Sequence, residues 1–244
     1  MVAQKLEKIE TGIPGLDEIL EGGLIANRPY LLSGGPGAGK TILGMQFLKH
    51  GAEQGEKSLY VSLEEQAGEL EANMAVFGWN LRNIKIIDTT QEAGSSTWMI
   101  KSDSVVSRPE FNLSNLLAVI SEKIQTYKPT RMVIDSITSI RMLYSNELDA
   151  RREILSLMNF LLRSGCTTLL TSEAFKGDTT DPEVLMEQFL SSGVIKLYML
   201  DNNGEMIRAI SIDKMRGTNF DRHIRPVKIT DNGIVIFPNE SVFG

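Results

Sequence analysis

The sequence predicts an α/β fold, with a mainly parallel central sheet flanked by helices and antiparallel hairpins at its C-terminal end. Three observations predict it. Apolar, strand-length runs alternate with helix-period segments as far as Ser172, the pattern of a sheet built from crossover units. A glycine-rich loop, Gly34-Gly35-Pro36-Gly37-Ala38-Gly39-Lys40-Thr41, lies between one such run and a helix, which is the context of a phosphate-binding loop. Two turn signals, Asn202-Asn203-Gly204 and Asp231-Asn232-Gly233, join strand-like runs near the C-terminus, as hairpins require. With 244 residues, 42% of them hydrophobic, the chain is expected to form one domain, residues 1–244, around a sizeable core.

In chain order, a short helix is expected over Leu16 to Leu20 between glycine turns, with Ile13, Leu16, Ile19 and Leu20 on one face. Tyr30-Leu31-Leu32-Ser33 is the strand entering the loop, and the helix that begins at Lys40 should stop near Gly51 or Gly55. Strands follow over Lys57 to Leu63 and Ile84 to Asp88, separated by a helix from Glu69 to Phe77 that Gly78 ends. The stretch Thr89 to Phe111 is polar and has no clear period; loops of that length in a compact domain are usually functional or mobile. Leu113 to Tyr127 is amphipathic, with Leu116, Leu117, Ile120 and Ile124 on one face, and Pro129 closes it. Arg131 to Asp135 is a buried strand, Asn146 to Ser164 a helix and Thr167 to Ser172 a strand. Helix is possible from Val184 to Leu190, and Gly193 to Leu200, Glu205 to Asp213 and the pair within Arg225 to Phe237 are strands.

Composition narrows the function classes. The net charge of −6 offers no bulk electrostatic attraction for nucleic acid. A single cysteine, Cys166, cannot form an intrachain disulfide and sits in an apolar run, so it is expected to be packing. The N-terminus lacks an apolar signal segment and no run reaches membrane-spanning length. A cytoplasmic protein with no membrane contact is expected. His50 and His223 are too few and too distant in sequence to suggest a metal cluster. Trp79 and Trp98 read as packing or loop aromatics, and Thr179-Thr180 as exposed loop.

The chemistry-bearing residues begin with the loop. Its glycines allow backbone N–H groups to converge on one point, and the following helix adds its positive end. The loop positions Gly35, Pro36, Gly37, Ala38, Gly39, Lys40, Thr41 and Ile42 are therefore the expected triphosphate cradle. Lys40 would reach the β- and γ-phosphates and the Thr41 hydroxyl would ligate Mg²⁺. Asp135 ends an apolar strand, where an acid can hold the Mg²⁺ hydration shell opposite the threonine. Glu64 and Glu65 leave the second strand. A carboxylate there can orient or deprotonate the attacking water, although acids are also favoured in the first turn of a helix. Adjacent residues leaving a strand diverge, so only one can hold that water well. Lys214 and Arg216 alternate onto one face of a strand end beside Gly217. They could clamp phosphate oxygens, in their own chain or a neighbour's, but position alone favours a solvated strand end.

Taken together, Thr11-Gly12-Ile13-Pro14-Gly15-Leu16-Asp17, the loop, Val61-Ser62-Leu63-Glu64-Glu65, Phe77-Gly78-Trp79, Asp135-Ser136, Lys214-Met215-Arg216-Gly217-Thr218 and Ile229 through Pro238 occur in an order that resembles one KaiC domain of the RecA/DnaB-like P-loop ATPases. The resemblance runs from about Thr11 to Pro238. It implies a RecA-like fold, ATP and Mg²⁺ as ligands, and a homo-oligomeric ring, usually a hexamer, with ATP between subunits. It implies that Glu64 and Glu65 are a catalytic pair and that Lys214 and Arg216 act on the neighbour's nucleotide, reversing the preference from position alone. Ile229 and Asp231 match positions that approach the base or ribose from the neighbouring subunit, and Ser172-Glu173 a region that senses the γ-phosphate. The two-domain clock protein's autokinase cycle is not implied by a chain with one domain. Two other readings stand beside the regulatory ATPase. One is a recombination accessory that binds single-stranded DNA through Thr89–Phe111, with Lys101, Arg108, Trp98 and Phe111, and through Lys176–Leu190. The other is a nucleotide-dependent scaffold, with an unknown protein partner and little turnover.

Overall fold

The computed structural model describes residues 6–89, 113–173, 182–202 and 204–242. The expectations placed on Trp98, Lys101, Arg108, Phe111, Lys176 and Thr179-Thr180 lie outside these residues.

A 9-stranded sheet organises the chain. Its strands are β3 (Pro29–Gly34), β4 (Ser58–Ser62), β5 (Ile84–Asp88), β6 (Arg131–Asp135), β7 (Thr167–Glu173), β8 (Gly193–Asn202), β9 (Glu205–Met215), β10 (Arg225–Thr230) and β11 (Gly233–Ile236). Across the sheet they run β11-β10-β9-β8-β3-β7-β6-β4-β5. The stretch from β8 to β5 is parallel, and β9, β10 and β11 extend it as antiparallel hairpins, as the alternation and the turn signals predict. A small ribbon of β1 (Lys8–Ile9) and β2 (Leu24–Ile25) was not expected; two-residue strands carry no periodic signal.

Helices cover both faces. They are α1 (Leu16–Ile19), α2 (Lys40–Glu53), α3 (Ala67–Ala75), α4 (Leu113–Tyr127), α5 (Ile137–Arg141), α6 (Glu147–Arg163) and α7 (Pro182–Leu190). The period-two alternation of the strands divides their side chains between two cores. Tyr30, Leu32, Tyr60, Val133, Leu169 and Ile195 pack with α1 and α2 on one face. Leu31, Leu59, Val61, Met132, Ile134, Leu170 and Val194 pack with α4, α5 and α6 on the other. Because both faces are buried, these strands read as continuous apolar runs.

Element boundaries moved where a local bond decides them. Helix α3 starts at Ala67, ahead of the expected Glu69, because the Asp88 carboxylate accepts the Ala67 N–H at 2.8 Å. It ends at Ala75, and Phe77 instead stacks on Trp79 with ring centroids 4.7 Å apart. Helix α6 matches its expected span because Asn146 caps it, accepting the Leu148 N–H at 2.9 Å. Helix α7 begins at Pro182, earlier than Val184, since proline suits a first helical position. The five residues of α5 were not expected as a helix; one turn and a half is too short to show a period. Cys166 is buried, with its Sγ 3.0 Å from the Pro129 carbonyl.

Candidate functional site

Register brings the loop and the acids level with one another. Gly34 at the end of β3 lies opposite Glu173 at the end of β7. Ser62 at the end of β4 lies opposite Asp135 at the end of β6. The carboxyl ends of parallel strands are where an open α/β sheet offers a ligand crevice. A cavity of about 260 Å³ opens there, lined by Pro36, Gly37, Lys40, Thr41, Ser62, Glu64, Glu65, Asp135, Ser136 and Glu173.

Loop conformation follows from its glycines. A Cβ on Gly34 would stand 2.7 Å from the Leu197 carbonyl, so only glycine lets β3 pass so close to β8. Gly39 caps α2 at φ 103° without a side chain bonded to the helix amides, leaving that N-terminus to receive an anion. A Cβ on Gly37 would meet nothing within 4 Å, so the cradle is open at its tip. Lys40 Nζ donates to the Gly34 and Gly35 carbonyls at 2.8 and 3.2 Å. Burial lowers its pKa from the ordinary lysine value, and the charges of Glu173, Asp135 and Glu64 oppose that shift.

Asp135 is held by hydroxyls from three directions. Thr41 Oγ1 donates to Oδ2 at 2.8 Å, the Tyr60 hydroxyl to Oδ2 at 2.5 Å, and Thr171 Oγ1 to Oδ1. Tyr60 is pushed well above the usual tyrosine pKa by burial and then by the Asp135 charge it donates to. The Thr41 hydroxyl and the Asp135 carboxylate are thus neighbouring hard oxygen donors at the mouth of the loop, a donor set that fits Mg²⁺.

The two glutamates diverge as adjacent residues should. Glu64 Oε1 accepts from the Ser136 and Ser139 hydroxyls at the start of α5. Glu65 turns toward α3, accepting from Asn73 Nδ2. Burial raises the Glu65 pKa; the Asn73 bond opposes this, and the charges of Glu69 and Asp135 add to it. Of the two, it is the charge of Glu64 that bears on Lys40.

Lys214 and Arg216 do not line this cavity. Lys214 Nζ donates to the carbonyls of Gln188, Phe189 and Ser191 at 2.5, 3.0 and 2.7 Å. Arg216 donates to the Phe189 carbonyl at 2.7 Å. Both cations close the C-terminal end of α7, whose last turn has no basic residue of its own, where positive charge is favoured. Burial and then the Arg216 charge pull the Lys214 pKa down to about 8; the three carbonyls act in the opposite sense by favouring the ammonium. Ile229 lies beside its own chain's loop, its Cδ1 3.5 Å from the place of a Cβ on Gly39, and Ile42 packs partly buried against the same core. Asp231 is exposed in the turn between β10 and β11.

Sequence reasoning missed the hydroxyl set. Tyr60, Thr171, Ser136 and Ser139 act through strand register and a short helix, and only the serine after Asp135 carried any signal. It also missed Arg208, whose Nε donates to the Gly37 carbonyl at 3.3 Å from β9.

Comparison with known proteins agrees with this geometry. The family model described as ATPase: KaiC matches residues 9–241. A UPF0273 protein of Thermotoga maritima is 34% identical over 245 residues, covering 96% of this chain and 98% of its own. The circadian clock oscillator protein KaiC of Prochlorococcus marinus is 33% identical over 97% of this chain, which spans 46% of that longer protein. The crystal structure of a KaiC-like protein from Pyrococcus horikoshii superposes with a TM-score of 0.81 at 35% identity, covering 96% of this chain and 100% of that one. A nucleotide loop at the strand ends, a carboxylate-bearing strand beside it and a sequence match over nearly the whole chain place this protein in the KaiC family of P-loop ATPases.

Proposed function

We propose that the chain hydrolyses ATP with Mg²⁺ at the seams of a ring built from copies of itself, in a regulatory role. One observation carries this reading: the cavity is electrostatically incomplete. Among the described residues that line it, Lys40 is the one cation, against the carboxylates of Glu64, Glu65, Asp135 and Glu173. A triphosphate there needs further positive charge. Thr41 and Asp135 would hold Mg²⁺, which when bound would supply part of that charge as a Lewis acid. Lys214 and Arg216, held together on a strand tip outside the cavity, are suited to supply the rest to a neighbouring copy. Phe189, whose carbonyl holds both cations, is itself 70% exposed at the same tip, as a subunit contact would require.

Within one protomer the residues divide the work. The loop amides and Lys40 would bind and orient the β- and γ-phosphates. Glu64, fixed by the two serine hydroxyls and close enough to bear on Lys40, would hold the attacking water and take its proton. Glu65 would set the environment of that pair from the α3 side. Ile229, although it also packs on its own loop, and the exposed Asp231 would approach the base or ribose of the neighbouring subunit's nucleotide. The basic pair from the next protomer would stabilise charge on the γ-phosphate as the bond to it breaks.

The test combines assembly and turnover. Native mass measurement with and without ATP and Mg²⁺ should show a closed ring, a hexamer on the family's pattern. Mixing Lys214→Ala/Arg216→Ala subunits with Lys40→Ala subunits should restore hydrolysis that neither shows alone. Failure of the mixture to hydrolyse ATP, in rings shown by mass to contain both subunits, would overturn action in trans.

A further inference from the structure

The helix that holds the basic pair is also linked, through a buried side chain, to residues next to the cavity of its own protomer. Glu187 lies in the last turn of α7 and is 1% exposed. Its Oε2 accepts from Ser172 Oγ at 3.2 Å, and its Oε1 lies 3.5 Å from the Arg141 guanidinium. Both partners lie on elements that end or begin at a cavity residue. Ser172 immediately precedes Glu173, and Arg141 ends α5, the helix that begins beside Ser136. The same two elements are tied to each other, since the Glu173 N–H donates to Thr138 Oγ1 at 2.9 Å. From Glu187 the chain needs one further residue to reach Gln188, the first of the carbonyls that hold Lys214.

We propose that Glu187 is a positioning residue that links the γ-phosphate side of one protomer's site to the aim of its own Lys214 and Arg216. The inference rests on the reading that this pair serves the neighbour's nucleotide. Its physical basis is that a buried carboxylate held by a charge and a hydroxyl has few alternative positions. A shift of the β7 end or of α5 against a bound phosphate therefore moves the end of α7, and the carbonyls on it re-aim both cations together. Each occupied site would in this way prepare the next, and hydrolysis around the ring would be cooperative in ATP.

The experiment uses Glu187→Gln, which keeps the shape and removes the charge, with Glu187→Asp as the conservative comparison. Binding of a fluorescent ATP analogue to the assembled ring and the native mass should match wild type. Steady-state turnover should fall by about tenfold or more, as expected when a reacting group is misplaced by a fraction of its contact distance, and the ATP dependence should lose its sigmoidal form. Glu187→Asp should recover part of both. A folded Glu187→Gln ring with wild-type turnover and unchanged cooperativity would overturn the proposal. If burying the amide against Arg141 prevents folding, Ser172→Ala is the second variant: it leaves the charge pair in place and should still reduce cooperativity, and wild-type cooperativity there overturns the proposal equally. Loss of effect in Lys214→Ala/Arg216→Ala itself would instead show that the trans reading has failed, which separates the two outcomes.

Discussion

Asp135 and Lys214 are both charged groups at or near strand ends, and their surroundings are opposites. Asp135 is fixed by side-chain hydroxyls that converge from α2, β4 and β7. Lys214 is fixed by main-chain carbonyls that all come from the end of α7 and the turn after it. The hydroxyls orient the carboxylate without neutralising it, so it is ready to face a cation as it stands. The carbonyls engage the ammonium itself, so Lys214 must be re-aimed before it can meet a phosphate. The first region is preorganised within one chain. The second holds a charge at a helix terminus, and on the proposed reading this is the charge that must move and the point where dependence on a neighbour would enter.

The largest expected effect falls on the movable region. Lys214→Ala/Arg216→Ala should lower kcat by about 10³-fold, as for loss of an arginine finger, with ATP affinity per site retained in equilibrium binding. A loss of affinity equal to the loss of kcat would mean the pair belongs to the preorganised site. Next comes the preorganised site itself. Glu64→Gln should cost about 10²-fold in kcat, within the range of a general base, and Glu65→Gln distinctly less; steady-state kinetics of the two single variants would decide, and the reverse order would reassign the water to Glu65.

A smaller effect separates the regions by pH. With the Lys214 pKa near 8, turnover should decline by a few fold as the pH rises through that value, and Lys214→Arg should move the decline to higher pH. The stability sign is opposite. The folded Lys214 releases its proton at about 8 and the unfolded one near 10.5, so across that window the unfolded chain binds more protons and stability rises with pH. Denaturant titrations of wild type and Lys214→Met at both ends of the window would show whether that slope disappears with the lysine. The smallest effect is expected of Tyr60→Phe, which removes one hydroxyl from Asp135: about 1 kcal/mol of stability, read from the urea midpoint, with the remaining hydroxyls of Thr41 and Thr171 still holding the carboxylate.

How much of this was legible in the sequence depended on the range of the interaction. The loop was legible because its glycines, Lys40 and Thr41 lie within eight residues of chain, although Leu197 and Arg208, which also meet it, come from far along the sequence. Asp135 was legible from the end of an apolar run, and the mainly parallel sheet from the alternation of runs and helices, whereas the order of the strands across it was not. The hydroxyls of Tyr60 and Thr171 on Asp135 were not, since they meet it only through the register of β4 with β6 and of β6 with β7. The environment of Lys214 and Arg216 was equally hidden. Their spacing put them on one face, and nothing in it named the helix end that holds them.

By itself, then, the sequence determined the class of fold, the phosphate loop and the positions of Lys40, Glu64, Glu65 and Asp135 at strand or helix ends, because periodicity, glycine conformation and helix-start chemistry are local properties. Only the tertiary structure decided which glutamate turns toward the cavity side of α5, which hydroxyls grip the strand-end aspartate, and that the basic pair rests on α7. Those outcomes depend on which distant backbones lie side by side, and that is set by the packing of two cores against one sheet.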